Sequence, residues 1–430
     1  MRDYGKAADR TVAEGESARP IAMADGDRIA SLDVIRGLAV MGILVANVIA
    51  FGQPMTAYLY PAAFAVPHST AEDWMWVAQL VLIDGKMRGL FTLLFGAGMY
   101  LFLERARARG QGVWLQLQRL FWLGLFGLVH YFFLWRGDIL FLYACAGAAA
   151  LLFVGLPRLH QLVLGVLGYI GGALFYGGFV GFLPIVADTA VGERPAYSQM
   201  AEGLDAEKQA SLADGRFETE LIAGGDYTGW VEHNASAHAG DLPFNLLMSW
   251  FETLPLILIG MAAYRYGLFD GRLDPRRQRR WGWVLLLAGT ALTVPVALWA
   301  KSGGLTYYGT LAAIVGWSML PRGVAVLGLV ALLALWGRRA AGPLVGRVSA
   351  AGRVAFTNYL GTSVVMLLLF HGWAGGLFAK LGRSELYGVA LAACALMLLW
   401  SKPWLDRYRF GPLEWLWRCL TYRRLFPLRR

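Results

Sequence analysis

Cysteine is scarce in this sequence: Cys145, Cys394 and Cys419 are the three in 430 residues. No two stand at metal-ligand spacing, and no disulfide framework is implied. Charge is scarce too. Asp, Glu, Lys and Arg make up 16% of the chain, against about 25% in a soluble domain. That shortage excludes a disordered protein and an ordinary cytosolic enzyme. Residues 1–27 lack the apolar core of a signal peptide. A Walker A motif, a dinucleotide-binding glycine fingerprint and a Cys/His metal pattern are all missing, so no metal and no resident cofactor are expected. No fixed-period repeat is visible.

What the chain has is apolar length. Hydrophobic residues make up 57% of it, with 17 Trp, 18 Tyr and 23 Phe, and the mean hydropathy is +0.49. The composition predicts an all-α fold, a polytopic transmembrane helical bundle. At about 20 residues per span, ten spans fit, with eleven as the alternative. The predicted spans lie near 32–52, 88–103, 113–134, 138–156, 161–184, 243–265, 281–300, within 304–337, 354–374 and 386–401. Residues 73–84 are too short to cross and rich in Trp, and so read as an interfacial helix. The stretch 304–337, with Pro321-Arg322 in its middle, reads as an interfacial helix plus one span or as a two-span hairpin.

The net charge of +10 comes without a nucleic-acid motif, and no nucleic-acid partner is expected. The placement of the charge sets a topology instead. Loop 265–280 carries six Arg against two Asp, and 338–353 carries four Arg and no acid. Residues 185–241 hold 11 acidic and three basic residues. With both termini cytoplasmic, the basic loops fall inside and the acidic one outside. Two crossings in 304–337 would put 338–353 outside, against that rule. The expected organisation is a cytoplasmic tail (1–27), a first membrane bundle (28–184), an acidic extracytoplasmic segment (185–241), partly helical, a second bundle (242–401) and a basic amphipathic tail (402–430) lying on an anionic leaflet.

An ionisable residue inside a span is a functional-site hypothesis. His130 lies near the outer end of the third predicted span, and Asp138 opens the fourth across a WRGD turn. The pair either meets as a carboxylate-oriented imidazole or divides into a helix-end His and an N-cap Asp. Asn47 serves as interhelical glue or positions a substrate. With His68, Lys86, Arg88, Glu252 and His371, these residues make a predicted outward-facing polar cluster. Asp33 and Arg36, at i and i+3, can pair at the inner side. The glycines of LFGAG and GYIGG are read as helix-packing surfaces.

Five stretches carry a family resemblance: RIASLDVIRGLAVMGILVANVIAFG (28–52), DGKMRGLFTLLFGAGMYLF (84–102), LFGLVHYFFLWRGDILFLYACAG (125–147), GRVAFTNYLGTSVV (352–365) and FGPLEWLWRCLTYRRL (410–425). In them the chain resembles the YeiB-like family of bacterial inner-membrane proteins, which implies a multi-pass inner-membrane location in the cell envelope. The first span is also similar to that of the transmembrane acyltransferase group that includes heparan-α-glucosaminide N-acetyltransferase. There an S-x-D-x-x-R-G opening leads to a membrane Asn and then to a lumenal His. Asp33, Arg36 and Asn47 match by position. The His position falls at Tyr58, with His68 further on and His130 the other position for the role.

That resemblance implies acyl transfer from a cytosolic acyl-CoA to a sugar or envelope acceptor on the far side. His130, oriented by Asp138, would act as base or acyl carrier, and Asn47 would hold the carbonyl oxygen. A transporter or flippase of an amphiphilic envelope precursor and a non-catalytic scaffold are the competing readings. The absent inverted repeat counts against the transporter. The expected partners are the lipid bilayer, a small-molecule or glycan acceptor, and a second copy in a homodimer.

Overall fold

A computed structural model describes residues 29–67 and 69–430. The predicted tail 1–27 and His68 lie outside the described residues. Among the described residues the chain is helical, with one isolated antiparallel bridge between Tyr408 and Arg429.

Helix α1, Ala30–Gly52, is the axis of the bundle. It packs against α3 (Lys86–Ala108), α11 (Met319–Arg339), α12 (Pro343–Arg353), α13 (Ala355–Phe370) and α14 (Arg383–Arg407). In its apolar window 67% of residues are buried, against 22% in α14 and in α10 (Pro275–Ser302). The outer helices turn Leu287, Leu292, Leu391 and Leu399 outward. An apolar band on helices of this length is the signature of a lipid-facing surface. The remaining helices of more than ten residues among the described residues are α2 (Thr70–Leu82), α4 (Val113–Phe133), α5 (Leu140–Ala150), α6 (Arg158–Ala187), α7 (Ser198–Gly224), α8 (Tyr227–Ala237), α9 (Asp241–Arg265) and α15 (Pro412–Tyr422).

Among the described residues six helices, α1, α6, α9, α10, α11 and α14, are long and apolar enough to cross a membrane. The α12–α13 pair, bent by 82°, makes a seventh if it is one span. About ten spans are expected from the sequence. Three of those segments fall short: α5 is only 11 residues long, and α3 and α4 carry polar side chains that line cavities. Several apolar helices in one chain make this a multi-pass membrane protein. Within 304–337, one segment, Met319–Arg339, is long and apolar enough to cross. A short helix, Tyr307–Leu311, and a π-helical turn, Ala312–Trp317, precede it. The break therefore falls before Pro321, which sits in the first turn of α11, where its missing N–H leaves no bond unmade.

The acidic segment 185–241 folds into α7 and α8, a helical cap rather than a loop. Arg136 in the turn after α4 pairs with Glu218 of α7 at 2.9 Å. Tyr227 donates to the Phe133 carbonyl at 2.7 Å, and Tyr308 donates to the Leu204 carbonyl at 2.6 Å.

Glycine sets the closest helix contacts. A Cβ on Gly96 of α3 would run into the Ile257 carbonyl of α9, and one on Gly260 would run into the Leu93 carbonyl. Both walls are backbone and cannot rotate away. Small residues permit such approach in membrane bundles, where dispersion rather than water expulsion drives packing. Gly260→Leu is therefore expected to cost more than the usual overpacking penalty of about 1–3 kcal/mol. The check is the melting temperature in detergent, with Gly361→Leu, which has open space around its Cβ, as the neutral control.

Candidate functional site

Two large cavities lie among the described helices. One, of about 310 Å³, is lined by six arginines, Arg36, Arg105, Arg119, Arg353, Arg409 and Arg418, and by two carboxylates, Asp33 and Glu414. Asp33 and Arg36 do pair, at 3.0 Å. Glu414 of α15 caps the start of α13. Its Oε1 accepts from the Phe356 and Thr357 N–H groups at 2.8 and 3.0 Å, and its Oε2 accepts from the Thr357 hydroxyl at 2.5 Å. That carboxylate is spent on orphan helix donors. Arg119 lies 4.0 Å over the Phe102 ring and 4.7 Å over the Trp417 ring. Phe91, Phe95 and Leu94 give the cavity an apolar wall. The combination suits an anionic headgroup with an extended, less polar arm.

The second cavity, of about 390 Å³, brings Asn47, Arg88, Asp138 and Glu252 together, four of the residues predicted to cluster. It also takes in Tyr58 and Arg322. Glu252 of α9 is clamped between Arg88 of α3 and Arg322 of α11, with Arg322 Nη2 donating at 3.0 Å. Arg322 also donates to the Ile314 carbonyl at 2.9 Å. Its side chain lies against Gly85, whose φ of +67° begins α3. A side chain there would collide with the guanidinium and strain the backbone. Arg322 was readable from the sequence only as an Arg within an apolar stretch, and its role as partner to Glu252 was missed.

Ile139 lines both cavities. Beside it lies a buried relay. His130 Nδ1 is 2.8 Å from Asp138 Oδ1, and Nε2 is 2.7 Å from the Ser363 hydroxyl. A carboxylate only accepts, so Nδ1 carries a proton, and in the neutral ring Nε2 accepts from Ser363. Asp138 Oδ2 meanwhile accepts the Phe141 N–H at 2.8 Å. Asp138 therefore orients the imidazole and also accepts an N–H from the first turn of α5, although the N-cap position itself is Ile139. Tyr359 completes the partition: its ring centroid is 5.1 Å from that of His130, and its hydroxyl accepts the Ile139 N–H at 3.3 Å. His130 and Ser363 are fully enclosed. Asp138 faces the Glu252 cavity and Tyr359 faces the Arg-rich one. Ser363 lies 233 residues from His130, and no sequence signal marked it.

Two predicted members sit elsewhere. Lys86 turns inward and donates to the Leu80 carbonyl at 3.2 Å. His371 packs among Tyr227, Trp230 and Trp373, in a small hollow beside Trp135 and Glu218. A further buried network was not foreseen. Gln79 donates to Asp84 at 2.9 Å and accepts from Arg383 at 3.0 Å and from the Tyr387 hydroxyl. It joins the short helix α2 to α14.

Residues 263–424 match the family model described as Protein of unknown function (DUF418). The chain is 31% identical to YeiB of Escherichia coli (strain K12), over 93% of this chain and 98% of the relative. It is 30% identical to YxaH of Bacillus subtilis (strain 168), over 92% and 94%. A 39.9 kDa protein from the amylase 3' region of Bacillus acidopullulyticus is 27% identical, over 95% and 97%. No solved structure matches the chain. With near full-length matches at this identity, the chain belongs to the YeiB-like family that carries the DUF418 region.

Proposed function

We propose that this protein is a transmembrane acyltransferase that moves an acyl group from a cytosolic acyl-CoA to an extracytoplasmic sugar or envelope acceptor. One observation carries the reading: two cavities of different chemistry abut at Ile139, beside an imidazole held between a carboxylate and a hydroxyl. In this reading ten segments cross a bacterial inner membrane, with α3, α4, α5 and the α12–α13 pair added to the six long apolar helices. Both termini lie in the cytoplasm. The Arg-rich cavity then opens inward and the Glu252 cavity outward.

The arginines would hold the CoA phosphates, and the aromatic wall would guide the pantetheine arm toward Ile139. An acceptor hydroxyl or amine would enter from the Glu252 cavity and replace Ser363 at His130 Nε2. His130 takes its proton, and the acceptor heteroatom bonds to the thioester carbonyl carbon. The C–S bond breaks, and the departing thiolate recovers the proton from the imidazolium. Asp138 holds the tautomer and offsets the imidazolium charge. Asn47 would donate to the carbonyl oxygen as charge develops there.

Acyl-CoA binding to the purified protein tests the donor half. A ligand that binds only the folded state stabilises it, by about 2.7 kcal/mol at a hundredfold excess over Kd. Acetyl-CoA and longer acyl-CoAs are expected to raise the melting temperature saturably, with free CoA as the control. Arg409→Gln is expected to weaken the effect about tenfold, the size of one charge-assisted hydrogen bond. No shift with any acyl-CoA would favour carriage of an amphiphile between the same two cavities.

A further inference from the structure

Outside the lining of both cavities, the cap contains a cluster that the proposed transfer does not use. Asp214 of α7, His233 of α8 and His238 at the end of α8 converge, with their donor atoms all within 4.8 Å of one another. Both imidazoles aim Nε2 at one oxygen, Asp214 Oδ1, at 2.7 Å from His233 and 3.2 Å from His238. We propose that Asp214, His233 and His238 form a divalent-cation site of zinc type that staples the cap to the mouth of the Glu252 cavity.

The donor set is the first argument. Two imidazole nitrogens and one carboxylate oxygen are a zinc-binding combination. Zinc at about 2.0–2.1 Å from each donor sets tetrahedral donors about 3.3 Å apart. The His238 separation of 3.2 Å is already close to that, and the His233 separation of 2.7 Å, a direct hydrogen bond, would open by about 0.6 Å to admit the ion. Three protein donors leave one position of a tetrahedral shell to solvent.

The surroundings of His238 are the second argument. Its Nδ1 faces another carboxylate, Asp241 Oδ2, at 2.9 Å. An imidazole between two carboxylates is satisfied in two ways. It either carries both protons, or it keeps Nδ1–H for one carboxylate and gives Nε2 to a metal. The second arrangement is how metal-bound histidines are oriented. Charge nearby comes from Arg136, whose Nη1 is 3.6 Å from Asp214 Oδ2 and whose Nη2 is 2.9 Å from Glu218. Asp214, Glu218 and Asp241 outnumber that one guanidinium, so a cation is favoured.

The position gives the site its effect. The ligands come from α7 and α8, and Asp241 begins α9, which carries Glu252. The His238 carbonyl accepts from the Tyr131 hydroxyl at 2.7 Å, and Tyr131 lines the Glu252 cavity. A bound cation would lock three elements around that opening.

The experiment uses the full chain without a polyhistidine tag, stripped with EDTA and titrated with zinc chloride by calorimetry. One zinc per chain is expected. His233→Ala with His238→Ala should abolish it. Asp241→Asn keeps all three donors and should weaken binding about 10–100-fold. Cobalt(II) should give the visible spectrum of a tetrahedral site in the native chain. If the double variant fails to fold, Asp241→Asn and the cobalt spectrum decide. Absence of saturable zinc binding to the native chain, zinc binding that survives the double substitution, or an Asp241→Asn affinity equal to that of the native chain overturns the proposal.

Discussion

Glu252→Ala is expected to destabilise the protein by about 3–5 kcal/mol, the cost of leaving a buried charge without its partner. Arg322 is the reason. Its side chain is 5% exposed, and Glu252 is the carboxylate hydrogen-bonded to it at 3.0 Å. Arg88, at 40% exposed, reaches the cavity and can be solvated there. The loss is large against a typical folding stability of about 5–15 kcal/mol. It should appear as a marked drop in melting temperature and in yield from the membrane. The pairing also predicts its own rescue. Replacing a whole buried ion pair by apolar residues is often close to neutral, so Glu252→Ala with Arg322→Leu should recover most of the loss. Equal stability of the single variant and the native chain would contradict the clamp, as would a double variant no better than the single one.

The second large effect is on chemistry. His130→Ala removes the proposed proton acceptor, and acyl transfer is expected to fall about 10²–10⁴-fold. Acyl-CoA binding should persist, because His130 does not line the Arg-rich cavity. Asp138→Asn should also lower the rate. An amide at that position can donate to Nδ1 and favour the tautomer with the proton on Nε2, the wrong one for a base. Ser363→Ala should cost much less, since Ser363 occupies the place an acceptor takes. A merely structural histidine predicts another pattern. His130→Ala would then lower the melting temperature and leave the rate per folded molecule unchanged.

Local patterns made part of this molecule legible. The Asp33–Arg36 pair follows from i, i+3 spacing on one helix. His130 and Asp138, eight residues apart across a tight turn between two apolar segments, do meet. Gly96 and the GYIGG glycines read as packing surfaces, and Gly96, Gly168 and Gly172 do meet α9. A Cβ on Gly98 would instead come 4.0 Å from the Arg36 guanidinium, at the Arg-rich cavity, and one on Gly171 would meet open space. What escaped was long-range pairing. Arg322 and Glu252 are 70 residues apart, and Gln79 and Arg383 are 304 apart. Nothing in either neighbourhood announces its partner. Lys86 looked like a cavity residue by depth, but depth does not fix the direction of a side chain. The Asp214, His233 and His238 cluster was invisible for a related reason: its members come from two helices whose turn is set only by folding, so no ligand spacing appears in the sequence.

Passage of an acyl group across the partition at His130, as proposed, can be followed in inverted membrane vesicles, whose outer surface is the cytoplasmic face. Acetyl-CoA labelled in the acetyl group is added outside, with glucosamine and an envelope extract sealed within. Labelled acceptor is expected inside the vesicles, formed by the native protein and nearly absent with His130→Ala. Label that stays on CoA, or a product formed equally by native protein and His130→Ala, would contradict it.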